Sequence, residues 1–209
     1  KSPWVGLTYF KQFFQSYYFK DVLVNTLSLS VFTMLVGFPV PIFLALLINE
    51  IKSTKLKKAV QNITYMPNFL SIVVIVSMLS LFSNKDRGLF NQITAFLGAK
   101  PVDFMSRPSA SQPLYVFSNV WQNMGFNAII YIAALSAIDP QLYEAASIDG
   151  ATRMQKIIHI SIPCIMGTIL ILFIMRIGNL MSVGFEKVLL MQRDVTISSS
   201  EVISTFIYN

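Results

Sequence analysis

Residues 139–163 read DPQLYEAASIDGATRMQKIIHISIP, a polar interruption between two hydrophobic runs long enough to cross a bilayer. Asp139 caps a helix that opens on Pro140, whose fixed φ suits a first turn and whose missing N–H had no helical partner. Leu142, Ala145, Ala146 and Ile148 recur at spacings that gather small and apolar side chains on one side, leaving Glu144 and Asp149 for polar contacts. Gly150 ends the helix. Thr152 then opens a second helix, basic at Arg153, Lys156 and His159 and apolar at Ile157, Ile158 and Ile160, which runs to Pro163 where the next hydrophobic run begins. The stretch predicts a small helix, a tight glycine turn and an amphipathic helix lying in water against a membrane.

Composition agrees with that setting. Hydrophobic residues make up 54% of the chain and charged residues 12%, against roughly 25% charged in soluble domains, and the mean hydropathy is +0.60. This excludes a water-soluble globule. The net charge of +6 is modest and its basic residues are not gathered on one face, so it reads as loops flanking membrane helices, with no nucleic-acid partner. The single cysteine, Cys164, excludes an intrachain disulfide and is a small packing residue.

Outward from the central stretch, the expected spans are about 22–48, 63–82, 114–138 and 164–183. Residues 22–48 carry no charge and would extend about 40 Å as a helix, enough for a hydrocarbon core of roughly 30 Å. Asn25, Thr26, Ser28, Ser30, Thr33 and Gly37 are expected to face neighbouring helices, and Pro39 and Pro41 to bend the span near its end. Lys52, Lys55, Lys57 and Lys58 crowd a short connector, which points to the cytoplasm. The second span is interrupted early by Pro67 and Asn68. An outer loop follows over 83–112, with a helix-compatible run at 88–97.

Residues 1–21 form an aromatic-rich outer amphipathic segment containing Trp4, Tyr9, Phe10, Phe13 and Phe14, suited to the membrane surface. Inside the third span, Trp121, Gln122, Asn123, Gly125 and Asn127 are unusual for lipid. Trp121 and Asn123 fit either a carbohydrate pathway, by ring stacking and amide bonds to hydroxyls, or interhelical packing. In the fourth span Arg176 either snorkels to the outer surface or meets an anionic or hydroxyl-rich substrate, with Asn179 one turn along as a helper.

The central stretch resembles the EAA loop of permease subunits of binding-protein-dependent ABC importers, through Glu144, Ala145, Ala146, Asp149, Gly150 and Ala151, then Ile160, Ile162 and Pro163. Ile162 stands where that family more often has leucine. WVGLTYFKQFF (4–14) is similar to a stretch preceding the core of sugar-type permeases, ALLINEIKSTKLKKAVQNITYMPNFLS (45–71) to their cytoplasmic linker, and GFEKVLLMQRDVTISSSEVISTFIYN (184–209) to their outer segment before a last helix. The resemblance implies an all-α membrane protein, a polytopic helical bundle of the ABC importer transmembrane-domain type. It is expected to be one incomplete domain over 1–209, truncated at both ends.

The resemblance further implies that residues 139–163 dock in a cleft of the ATPase subunit. Glu144 would meet a basic group there, Ala145 and Ala146 would permit close approach, and Gly150 would supply the turn. Implied partners are ABC ATPase subunits, a second and different permease chain, an extracytoplasmic solute-binding protein and the lipid of a prokaryotic cytoplasmic membrane. The implied cargo is a sugar, in the oligosaccharide or polysaccharide branch. No cofactor is expected on this chain, ATP-Mg being bound by the partner ATPase.

Enzymatic chemistry has no foothold in the residues. The one histidine, His159, has no patterned acid or nucleophile, and there is no zinc-binding, nucleophile-elbow or phosphate-loop motif. An ion-gradient-driven secondary transporter or channel is the alternative, but it needs an acidic residue within a span, and none of the expected spans has one. A membrane enzyme needs clustered His, Asp or Glu at the interface, and the sequence shows none.

Overall fold

The computed structural model describes residues 6–96, 98 and 100–208. Trp4 and the last residue of the expected run 88–97 lie outside the described residues, as do the side chains of Tyr9 and Phe10. In chain order the helices are α1 (Thr8–Gln15), α2 (Phe19–Gly37), α3 (Pro39–Asn49), α4 (Thr54–Tyr65), α5 (Ile72–Ser83), α6 (Leu89–Phe96), α7 (Pro108–Ser136), α8 (Pro140–Ile148), α9 (Arg153–Lys156), α10 (Ile162–Gly178), α11 (Phe185–Met191), α12 (Ile197–Ser200) and α13 (Ile203–Tyr208). No strand occurs among the described residues, and the fold is all-α.

By internal packing the chain divides into two compact units. One comprises residues up to 31, 72–115 and 181 onward; the other comprises 32–71 and 116–180.

In the first unit, polar side chains of α2 hold helices too short to persist alone. The Asn25 amide donates to the Ser198 and Glu201 carbonyls at 2.9 and 3.2 Å. The buried Thr26 hydroxyl accepts from the Ile203 N–H at 3.0 Å and donates to the Val22 carbonyl at 2.7 Å. Asn91, at 4% exposure, staples the loop around it, donating to the Asn84 and Val102 carbonyls and accepting from the Val102 N–H. Lys187 on α11 is 3% exposed; its ammonium has no hydrogen-bond partner and lies 5.3 Å from the Tyr115 ring centroid. Burial pushes it down from the ordinary lysine value of 10.5 to about 8.

The second unit has an apolar core of Ala45, Leu46 and Ile48 on α3, Ala128, Tyr131, Ile132 and Leu135 on α7, and Ile165 on α10. Against α7, α4 approaches backbone to backbone. A Cβ on Gly125 would lie 2.0 Å from the Thr64 carbonyl oxygen, so only glycine fits.

Phe19–Asn49 forms a 31-residue run long and apolar enough to cross a membrane, with Pro39 and Pro41 in the first turn of α3 after a break at Phe38. Residues 63–82 are not one helix. Pro67 lies in a 3₁₀ turn, Leu70 is extended at ψ 137°, and the 12-residue α5 begins only at Ile72. Alone α5 reaches about 18 Å, short of a bilayer core, and α4 with its 3₁₀ turn is long and apolar enough to cross a membrane only when counted together with α5. Residues 114–136 of the expected span 114–138 lie in α7, which is 29 residues long with Pro113 inside. It is not among the helices apolar enough to qualify, because Asn119, Gln122, Asn123 and Asn127 lower its hydropathy.

Around the expected fourth span, 164–183, the helical run long and apolar enough to cross a membrane extends continuously over 26 residues from Arg153 to Gly178. Pro163 therefore does not end a separate amphipathic helix. It sits in the first turn of α10, after a π turn over Ile157–Ser161. Proline lacks the N–H that an α-helix would pair with the His159 carbonyl and crowds that carbonyl; the wider turn, in which the Ile162 N–H pairs with the Ile157 carbonyl, accommodates it. Side chains such as Leu170, Ile171, Ile174 and Met175 on this run are exposed within the chain, which suits lipid or a partner helix.

Candidate functional site

Residues 139–163 form a helix, a turn and the foot of the long helix. The Asp139 carboxylate accepts from the Gln141 N–H at 2.9 Å and starts α8. At the other end Gly150 adopts φ +78°, the left-handed conformation. The Gly150 N–H bonds the Ser147 carbonyl at 3.2 Å and the Ala151 N–H bonds the Ala146 carbonyl at 2.9 Å, the paired pattern that closes a helix with a left-handed residue. Thr152 opens the next helix by a reciprocal cap with Gln155.

Two polar ties fix α8 to the long helix. The Lys156 ammonium donates to the Ser147 hydroxyl at 2.6 Å, and that hydroxyl donates to the Tyr143 carbonyl at 2.6 Å. The Tyr143 and Ser161 hydroxyls lie 2.9 Å apart, Ser161 being 1% exposed within the π turn. Glu144, Ala145, Asp149 and Gly150 are exposed, Ala146, Ala151 and Ile160 half-buried. Ile148 is 88% exposed beside the turn. A cavity of about 310 Å³ brings together Ala146, Asp149, Gly150, Ala151 and Ile160 with Gln155, Lys156 and His159. Glu144, Ala145 and Pro163 are not among its lining residues. His159 Nδ1 donates to the Gln155 carbonyl at 3.0 Å.

The four residues weighed for a substrate pathway separate into two places. Arg176 and Asn179 line a cavity of about 280 Å³ with Gly37, Phe38, Pro41, Asn127, Ile130, Tyr131, Leu172 and Met175. Among the described residues no acidic side chain stands in that lining, and Arg176 is its one charged side chain. Asn123 lies elsewhere: it accepts from the Asn68 amide at 3.0 Å and donates to the Asn119 carbonyl and side-chain oxygen at 2.8 and 3.1 Å. Trp121 is exposed and lines no described cavity.

Residues 18–184 match the family model described as "Binding-protein-dependent transport system inner membrane component". The chain belongs to that family. Over 207 residues it is 40% identical to the polygalacturonan/rhamnogalacturonan transport system permease protein YteP of Bacillus subtilis (strain 168), covering 99% of this chain and 64% of that one. Over 208 residues it is 38% identical to Protein LplB of the same organism, covering 100% of this chain and 65% of that one. The chain thus spans about two thirds of the length of these curated relatives. A solved bacterial ABC transporter involved in the import of the acidic polysaccharide alginate superposes with TM-score 0.94 at 43% identity, over 100% of this chain and 73% of that one. A second, the bacterial alginate ABC transporter in complex with alginate pentasaccharide-bound periplasmic protein, superposes with TM-score 0.93. The fold is therefore that of the ABC importer permeases, and a binding-protein-dependent permease is a membrane protein.

Sequence reasoning overlooked Tyr143, Ser161 and Tyr131, and it singled out Asn127 as unusual for lipid without placing it on the cavity wall. Ser161 carried the available signal. A hydroxyl inside the apolar run from Ile157 to Ile165 requires a partner when buried, and a tyrosine on the preceding helix is long enough to supply one.

Proposed function

We propose that the chain is the membrane-spanning portion of a permease subunit in an ATP-driven importer, carrying an oligosaccharide or polysaccharide delivered by a solute-binding protein. Residues 139–163 are its cytoplasmic docking element for the ATPase subunit. A second, different permease chain completes the passage, ATP-Mg resides on the ATPase, and the assembly lies in a prokaryotic cytoplasmic membrane. Relatives whose names specify polygalacturonan, rhamnogalacturonan and alginate support a saccharide cargo.

One observation carries the reading: α8 is stapled to a membrane-length helix at Tyr143–Ser161 and Ser147–Lys156, while Ile148 and the Glu144 carboxylate remain free. A free apolar tip next to a glycine turn can seat in a partner's cleft, and the staples make that helix follow the partner's movement. Closure of an ATPase pair would thereby move the long helix and switch the passage between inward-facing and outward-facing states.

The test is the complete transporter reconstituted in liposomes with its ATPase and binding protein. Uptake is expected to require ATP hydrolysis, and Glu144→Lys is expected to leave hydrolysis running while uptake falls. A cysteine at position 150 should crosslink to the ATPase. Uptake that persists on a proton gradient without ATP overturns the reading in favour of a secondary transporter.

A further inference from the structure

The cavity bounded by α3, α7 and α10 joins one cation to neutral hydrogen-bonding groups. Arg176 supplies a guanidinium. Asn127, Asn179 and Tyr131 supply amides and a phenol, and Phe38 and Leu172 supply apolar wall. Among the described residues no carboxylate in the lining neutralises the arginine. Arg176 is exposed within the chain, so its guanidinium is available to a ligand, and its planar fork matches a carboxylate through two parallel N–H···O bonds. Amides and a phenol pair with hydroxyls, while a ring face receives the C–H side of a sugar. Arg176 is exposed in the last turn of α10 and lines this cavity together with residues of α3 and α7.

We propose that Arg176 is the specificity-determining residue of this permease, selecting carboxylate-bearing saccharides over neutral ones within this cavity. The proposal rests on the importer reading above and adds the charge of the cargo. The shared chemistry is an anionic oxygen, which a sugar phosphate or a lipid phosphate also offers, so the experiment separates these sources.

Uptake is measured in the complete reconstituted transporter with three probes: a uronate trisaccharide, the same trisaccharide with its carboxyl groups reduced to alcohols, and a sugar phosphate. Wild type is expected to favour the uronate over both. Arg176→Gln is expected to lower the uronate-to-neutral ratio about tenfold, the scale of a lost charge-assisted pair, and Arg176→Lys to restore part of it. Both variants are compared at equal amounts of assembled complex in the membrane. A wild-type ratio near unity, a preference for the sugar phosphate, or an Arg176→Gln loss that is equal for charged and neutral saccharides overturns the assignment; the last result would mean lipid anchoring or packing. Wild-type complex that moves no saccharide with ATP overturns the importer reading itself, and is distinguishable because it appears before any substitution.

Discussion

The Tyr143 hydroxyl lies 2.9 Å from the hydroxyl of Ser161, linking the exposed helix α8 to a residue that is 1% exposed in the π turn below α10. Without it, Ser161 would hold a buried polar atom with no partner from α8, and α8 would keep only the Ser147–Lys156 tie, whose groups are exposed. A buried hydroxyl pair is worth about 1 kcal/mol net, and leaving one member unpaired costs more, roughly 1–3 kcal/mol. Tyr143→Phe is therefore expected to lower the thermal midpoint of the purified complex and to raise the ATP hydrolysed per saccharide imported. Ser161→Ala combined with it should give a coupling energy of about 1 kcal/mol in a double-mutant cycle; strictly additive effects would show that the pair is not formed.

Gly150 separates conformational strain from lack of space. At φ +78° a side chain is strained, yet a Cβ built there meets nothing within 4 Å. Gly150→Ala should then destabilise the motif by only about 1 kcal/mol, and Gly150→Asn by less, since asparagine tolerates the left-handed region. Gly150→Pro, locked near φ −65°, should abolish the turn and uncouple hydrolysis from uptake. Melting curves paired with hydrolysis-to-uptake ratios read all three; equal behaviour of the alanine and proline variants would contradict the turn's role.

Gly125 makes the opposite case. Its backbone geometry is ordinary for a helix, but an added Cβ would fall 2.0 Å from the Thr64 carbonyl oxygen and 2.4 Å from its carbon. Backbone cannot rotate aside as a side chain does, so Gly125→Ala must push α4 away from α7 and strain the Asn68–Asn123 bond. Overpacking of this kind costs about 3 kcal/mol. The expected result is poor recovery of folded protein, with a drop in thermal midpoint larger than that of Gly150→Ala.

Lys187 predicts a pH dependence whose sign follows from its burial. Its folded value is about 8 against an ordinary 10.5, so between these limits the unfolded chain binds the proton and the folded chain does not, and stability rises with pH. The contribution is fully present above about 10.5 and is lost as pH falls toward 8. A shift of that size corresponds to about 3 kcal/mol. Lys187→Met, which keeps the apolar stem and removes the ammonium, should raise the thermal midpoint at pH 7 and flatten its rise between pH 8 and 10. An unchanged slope in the variant would assign the pH dependence to another group.

Part of this architecture was legible in the residues. The Asp139–Pro140 start, the Gly150 stop and the Thr152 start follow local backbone rules, and each appears where its signal stands. The broken helix at 66–71 was only half visible. Pro67 marked an interruption, but that α5 waits until Ile72 depends on packing that no local rule specifies. Pro163 misled for a related reason: proline usually opens or breaks a helix, while a π turn lets this one continue through it.

By itself the sequence determined the all-helical class, the apolar runs around 22–48 and 164–183 and the turn at Gly150, because hydrophobic length, capping groups and glycine's backbone freedom act over a few neighbouring residues. Only the tertiary structure decided that Arg176 and Asn179 share a cavity with Asn127 and Tyr131, that Asn123 is spent on Asn68 and Asn119, and that Tyr143 reaches Ser161. These relationships join residues far apart along the chain, and their distances come from how helices pack, which spacing within any one helix does not encode.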